Sequence, residues 1–182
     1  MTMPPPGLRK VALSTHIALS VGWVGAVAAY IALDVAAATS QVAQTSRAAY
    51  LGMESIAVSV IVPLALASLL TGVVMSVTTK WGLFRHWWVL ISLLLTTFAT
   101  VVLLAETRTI SALAATAADP TVTRDDLRAL GNTLVHSIGG SVVLLTILVL
   151  NVHKPRGLTP YGRRKQQEES SKQQEARRVL EP

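Results

Sequence analysis

Residues 11–33 read VALSTHIALSVGWVGAVAAYIAL, an apolar run long enough to cross a bilayer as one helix. At about 100° per residue, His16, Ser20, Trp23, Val27, Tyr30 and Asp34 fall within roughly 40° of one direction. That polar and aromatic stripe faces protein, and the aliphatic remainder faces lipid. The chain is organised around this helix.

The composition agrees with a membrane protein. The 182 residues are 51% hydrophobic and only 14% charged, against about 25% charged in an average soluble domain. Mean hydropathy is +0.50, and the charges are clustered, leaving long stretches with none. A net charge of +6 raises the question of nucleic acid. That class is excluded, because the basic residues flank apolar segments and fill the C-terminal tail instead of lining one folded face. There is no cysteine, which removes disulfides, thiolate catalysis and Cys-ligated zinc or iron–sulfur centres. The first apolar run is too long for a signal-peptide core and no A-x-A site ends it, so it reads as a retained span.

Taken in order, residues 1–10 form a short arm in which Pro4, Pro5 and Pro6 oppose a helix. The spans fall at about 11–33, 55–79, 86–105 and 133–152. Pro63 should kink the second span. The first outer connection, 34–53, lacks proline, so both flanking helices can extend into it. Residues 80–88, KWGLFRHWW, form a turn whose Trp81, Trp87 and Trp88 make an aromatic belt. Residues 109–122 read as an outer loop. Thr123 then caps a new helix, with Asp125 and Asp126 in its first turn. Residues 154–182 are a basic polar tail without apolar periodicity, expected to be mostly disordered. Lys165 with Glu169 and Glu168 with Lys172 have the spacing of helix-supporting ion pairs.

Of 16 Lys and Arg residues, only Arg47, Arg108, Arg124 and Arg128 fall in the connections 34–54 and 106–132. The positive-inside rule therefore predicts both termini in the cytoplasm, and four spans satisfy that parity. The expected fold is all-α: a four-helix transmembrane bundle, N-in and C-in, in a bacterial cytoplasmic membrane.

The chemistry-bearing residues are few. His86 and His153 fall at the inner interface, where a wet interfacial His is the bland reading. His16 and His136 lie inside spans, where an ionisable side chain is a functional candidate, although hydrogen bonding to a neighbouring helix accounts for it equally. The two do not share one metal. His16 is roughly 7 Å from the inner end of its span and His136 roughly 24 Å from the inner end of its own, at 1.5 Å per residue. A site at His16 would draw on His86, His153, Lys80 or Met75, and a site at His136 on Tyr30, Asp34, Asn132 and Glu106. Gly139 and Gly140 beside His136 either leave room for a flat ring or let another helix approach. No GxxxxGKS, GxGxxG, GxSxG or HExxH motif is present.

The pattern His16, Trp23, Gly25, with Pro63, Thr71-Gly72 and the Trp-rich turn, resembles a family of bacterial integral membrane proteins. That family lies close to the copper-resistance D domain and the membrane-embedded protoporphyrinogen oxidase. The resemblance covers about residues 9–153. It implies a four-helix bundle and, through the oxidase relatives, a b-type haem with His16 as ligand. Trp23 and Tyr30, on the same stripe, would line the cofactor site; His136 is a separate cofactor-binding candidate, and His16 with His86, at the inner level, is the candidate metal pair. Three functions are thus expected, in this order: a redox- or haem-linked membrane protein; a scaffold whose stripe packs helices and whose tail binds a cytoplasmic partner or anionic lipid; and a small-solute or ion pathway along the stripe. The partners expected are the lipid bilayer and a second copy or another membrane protein, with no nucleic acid.

Overall fold

Among the described residues of the computed structural model, four helices are long and apolar enough to cross a membrane: Gly7–Thr39, Ala43–Thr78, Trp87–Ala118 and Leu134–His153. The structure describes residues 5–78, 82–155 and 157–180; Lys80, Trp81 and Arg156 lie outside the described residues. In detail the elements are α1 (Pro6–Thr39), α2 (Ala43–Ile56), a π-helical turn (Ala57–Ile61), α3 (Val62–Thr78), α4 (Trp87–Ala118), α5 (Arg124–Ala129), α6 (Leu134–His153) and α7 (Pro160–Leu180).

The first helix starts earlier than the proline run suggests. Pro6 occupies the first helical position, where a missing N–H costs nothing and the fixed φ suits a helix. Pro63 gives a π turn directly before it. Its ring crowds the carbonyl four residues back, at Ser59, and that carbonyl lies in the wider turn Ala57–Ile61, so the helix continues on both sides.

The helices run up and down in order, so the Pro6 and His153 ends share one side. α1 packs on α2, α3 and α6, and α4 packs on α2, α3 and α6. α1 and α4 therefore stand diagonally across the bundle. Ala49, Ala57, Ala65, Ala114 and Ala117 are almost completely buried, small side chains that let the helices approach closely.

α1, α2 and α4 are about 50 Å long at 1.5 Å per residue, counting α2 with its continuation, so they overrun a hydrocarbon core of about 30 Å. The segment 109–118, expected as loop, continues α4, because it is Ala-rich and no breaker occurs before Asp119-Pro120. Beyond the start of α6, the ends of α1, α2 and α4 and the short α5 form a polar cap. Arg47 on α2 closes it. Its guanidinium donates to the carbonyl of Ala117 at 2.8 Å and to those of Asp119 and Val122, a cation at the negative end of α4. Tyr50 donates to the carbonyl of Gly131 at 2.8 Å, and Gly131 takes φ +82° to turn the chain from α5 into α6. Thr123 caps α5 as expected, in a reciprocal box with Asp126. Thr123 bonds hold the Asp126 carboxyl below its ordinary pKa, and Thr121 does the same for Asp119.

At the opposite, basic end, Thr159 donates to the carbonyl of Phe84, and the Thr159 N–H donates to that of Arg85 at 3.1 Å. Over Pro160–Leu180 the tail that follows is a helix, not a disordered segment. Its first half is held by these bonds and by the ion pair Arg85–Glu169 at 2.9 Å. The Arg85 guanidinium holds the Glu169 carboxyl below its usual range.

Candidate functional site

The stripe on α1 is buried as its period requires, but it meets two different helices. At the basic end, Thr71 gives its single hydroxyl hydrogen back to the carbonyl of Ala67 at 2.8 Å. The hydroxyl therefore accepts from His16 Nδ1–H, at 2.9 Å. Ser20 and Ser68 hydroxyls pair at 2.9 Å one turn further on. Both bonds join α1 to α3. The His16 ring lies against Gly72, where an added Cβ would stand 3.3 Å from Cε1, so the glycine is what lets the helices close over the ring.

Toward the capped end the partner is α6. Thr133, which precedes α6, donates its hydroxyl to Asp34 Oδ2 at 2.7 Å. Having spent its hydrogen, it accepts from the Tyr30 hydroxyl at 2.8 Å. The Thr133 N–H also points to Asp34 Oδ1, at 3.4 Å. Asp34 is fully buried and Tyr30 is 4% exposed. Asp34 thus sits at the positive end of the α6 dipole, where backbone N–H groups are left over.

Between these two zones a cleft of about 340 Å³ opens among α1, the π turn, α4 and α6. Trp23 and Leu144 lie at its deep end. Tyr30, Thr133, Glu106 and His136 lie at the other, about 16 Å away by residue count along α6. Apart from Ser137, whose hydroxyl donates to the carbonyl of Leu134 at 3.2 Å, the remaining walls are apolar, including Ile61, Phe98, Leu103 and Val143. Phe98 and Val135 are 61% and 80% exposed, so the mouth is apolar and faces the lipid side of the bundle. Gly139 and Gly140 line it, and an added Cβ at either meets nothing within 4 Å. Of the two readings of these glycines, open space is the one realised within this chain. At the polar end, His136 Nε2 stands 3.8 Å from Glu106 Oε1.

Three of the four expected cofactor-site residues, Trp23, Tyr30 and His136, therefore share one cleft, and Glu106 joins them. His16 does not line it. His16 lies seven residues before Trp23 on α1, roughly 10 Å from the cleft's deep end at 1.5 Å per residue. With Nδ1 engaged, only its Nε2 remains for a ligand, and that atom would be 4.0 Å from a Cβ at Gly72. The residues around His16 consequently do not fit a haem seated in the cleft: ligand and cavity stand at different depths. His86 lies at the basic end, where its backbone bridges to Leu158 and its ring is 6.5 Å from that of Trp88. His153 bonds the carbonyl of Val149. Among the described residues no three His, Asp or Glu side chains gather as a metal would need.

Thr133 and Arg47 were not singled out in the sequence. Thr133 gave no signal beyond its place ahead of a span; Arg47, the lone cation of the 34–53 connection, gave a weak one. No family model, no curated protein and no solved structure matches this chain.

Proposed function

We propose that this multi-pass membrane protein binds a lipid-dissolved, mostly apolar ligand in the cleft between α1, α4 and α6. The ligand's body would lie along the wall from Trp23 and its polar end at Glu106 and His136. One observation carries this reading: Gly139 and Gly140 front open space at the lipid-facing mouth of an apolar cleft with a polar end. A purely structural bundle gains from filling such space, since a void forfeits dispersion contacts on its lining. A concave apolar pocket with a few convergent polar groups is the usual form of a small-molecule site. With the basic end in the cytoplasm, as the charge count predicts, the polar end of the cleft faces the outer leaflet of a bacterial cytoplasmic membrane.

The test is the set of lipophilic molecules that co-purify with the protein in mild detergent, read by mass spectrometry, for the wild type and for Gly140→Leu. A species retained by the wild type and lost from Gly140→Leu supports the reading. Identical extracts overturn it. An absorption spectrum with a haem Soret band that vanishes in His16→Ala would also overturn it in favour of the haem-linked reading. A second reading, a scaffold acting through its tail, draws support from α7, a mostly polar helix whose tethers among the described residues fall in its first half. Helices of that kind gain little stability from packing and suit a bridging role. Truncation after residue 158 would abolish partner recruitment if that reading is right and leave the co-purified species unchanged.

A further inference from the structure

The gap between Glu106 and His136 defines the head group. We infer that the cleft selects a ligand whose polar end is a neutral hydroxyl, an alcohol or phenol on an apolar body; this rests on the cleft reading above. The 3.8 Å separation of Glu106 Oε1 and His136 Nε2 is too long for a direct hydrogen bond, which closes at about 2.7–3.2 Å. One oxygen placed between them reaches both atoms at hydrogen-bond distance. A hydroxyl does so with complementary chemistry, donating to the carboxylate and accepting from the imidazole N–H.

Charge and hydrogen-bonding capacity disfavour the other heads. Two carboxylates, Glu106 and the buried Asp34, stand at this end of the cleft. A ligand carboxylate or phosphate would meet like charge there, while the positive end of α6 already faces Asp34 and the guanidinium of Arg47 is engaged at the end of α4. An ammonium head, though drawn to those carboxylates, has no lone pair with which to accept from the His136 N–H. It would also have to shed its hydration to pass the apolar mouth at Phe98 and Val135. A hydroxyl enters uncharged and is satisfied by both partners. Tyr30 adds no competing donor, since its hydrogen is committed to Thr133.

The experiment uses the full chain in lipid nanodiscs, photolabelled by a diazirine-bearing decanol, with the label mapped to peptides. Unlabelled n-decanol, n-decanoate and n-decylamine, equal in tail length, compete. The expected result is labelling on α4 and α6, with decanol competing at least about tenfold better than either charged analogue, since a hydrogen bond to a charged group is worth about that factor. Glu106→Gln, which keeps an acceptor but not the charge, should weaken decanol less than Glu106→Ala, which should lose it. Decylamine or decanoate competing as well as decanol overturns the hydroxyl head while leaving the cleft in place. Labelling that is unchanged in Gly140→Leu overturns the cleft reading itself, and the hydroxyl inference with it.

Discussion

Two halves of one helix face use their polar residues differently. In the half of α1 nearer its start, His16 and Ser20 each make one hydrogen bond to α3 and stay only half buried. In the other half, Tyr30 and Asp34 are buried and share Thr133 in a chain that ends on a carboxylate. The first pair can lose a member and leave a hydroxyl or imidazole that finds another partner. The second cannot, because a carboxylate without a donor in an apolar interior has no inexpensive alternative. The same sequence period therefore yields replaceable interhelical bonds at one end and a fixed junction at the other. The cleft lies against the fixed end.

The largest expected effect comes from cutting the chain at its centre. Thr133→Val strands both Tyr30 and Asp34 and should cost about 3 kcal/mol of stability. Thermal unfolding in detergent would show it, with Asp34→Asn milder because the amide oxygen still accepts. A Thr133→Val protein as stable as the wild type would erase the distinction between the two halves. Arg47→Ala releases three carbonyls at the end of α4 and should cost about 2 kcal/mol, with Arg47→Lys restoring only part, since an ammonium lacks the guanidinium fork.

Smaller changes sharpen the comparison. Tyr30→Phe removes only the outer member of the chain and should cost about 1 kcal/mol. His16→Ala, and separately Ser68→Ala, should each cost about 0.6 kcal/mol, the average for interhelical bonds in a membrane. Neither should alter what the cleft retains; a His16→Ala protein that lost its co-purified species would show that the two halves are coupled.

The smallest effect is that of acid on the two ends outside the bilayer. Asp126 and Glu169 have depressed pKa values in the folded protein. Their contribution is therefore complete above the unfolded-state values, about 4. It is lost as the pH falls through the lower folded values. Amide protection in α5 and at the start of α7 should drop between about pH 5 and about pH 2 while that of the four long helices holds.

Much of the fold was legible because its signals are local. Four apolar runs, the period of the α1 stripe and the Thr123 box each need only a short window of sequence. What a stripe faces is not local. The period gave the direction of His16 and Asp34 but could not assign α3 to one and α6 to the other. The grouping of Tyr30, Asp34 and Glu106 with His136 followed from depth along the spans, and the structure brings Glu106 and His136 together. Gly139 and Gly140 were ambiguous for a physical reason: a missing side chain serves close approach and vacancy equally. The tail helix was hidden because its polar residues support a helix only once Arg85 and Thr159 fix its first turns. The length of α4 was hidden because its alanines carry no amphipathic period.

The central claim is that the cleft is open to lipid, and a spin label tests it most directly. The chain has no cysteine, so Gly140→Cys gives one nitroxide site on the wall of the cleft. In lipid nanodiscs its collision rate with oxygen, which concentrates in the bilayer, is compared with that of a water-soluble nickel chelate. A mobile nitroxide with high oxygen and low nickel accessibility, reduced when n-decanol is added, is the expected result. An immobile nitroxide shielded from both reagents would mean that α4 and α6 close over this position, and it would contradict the account.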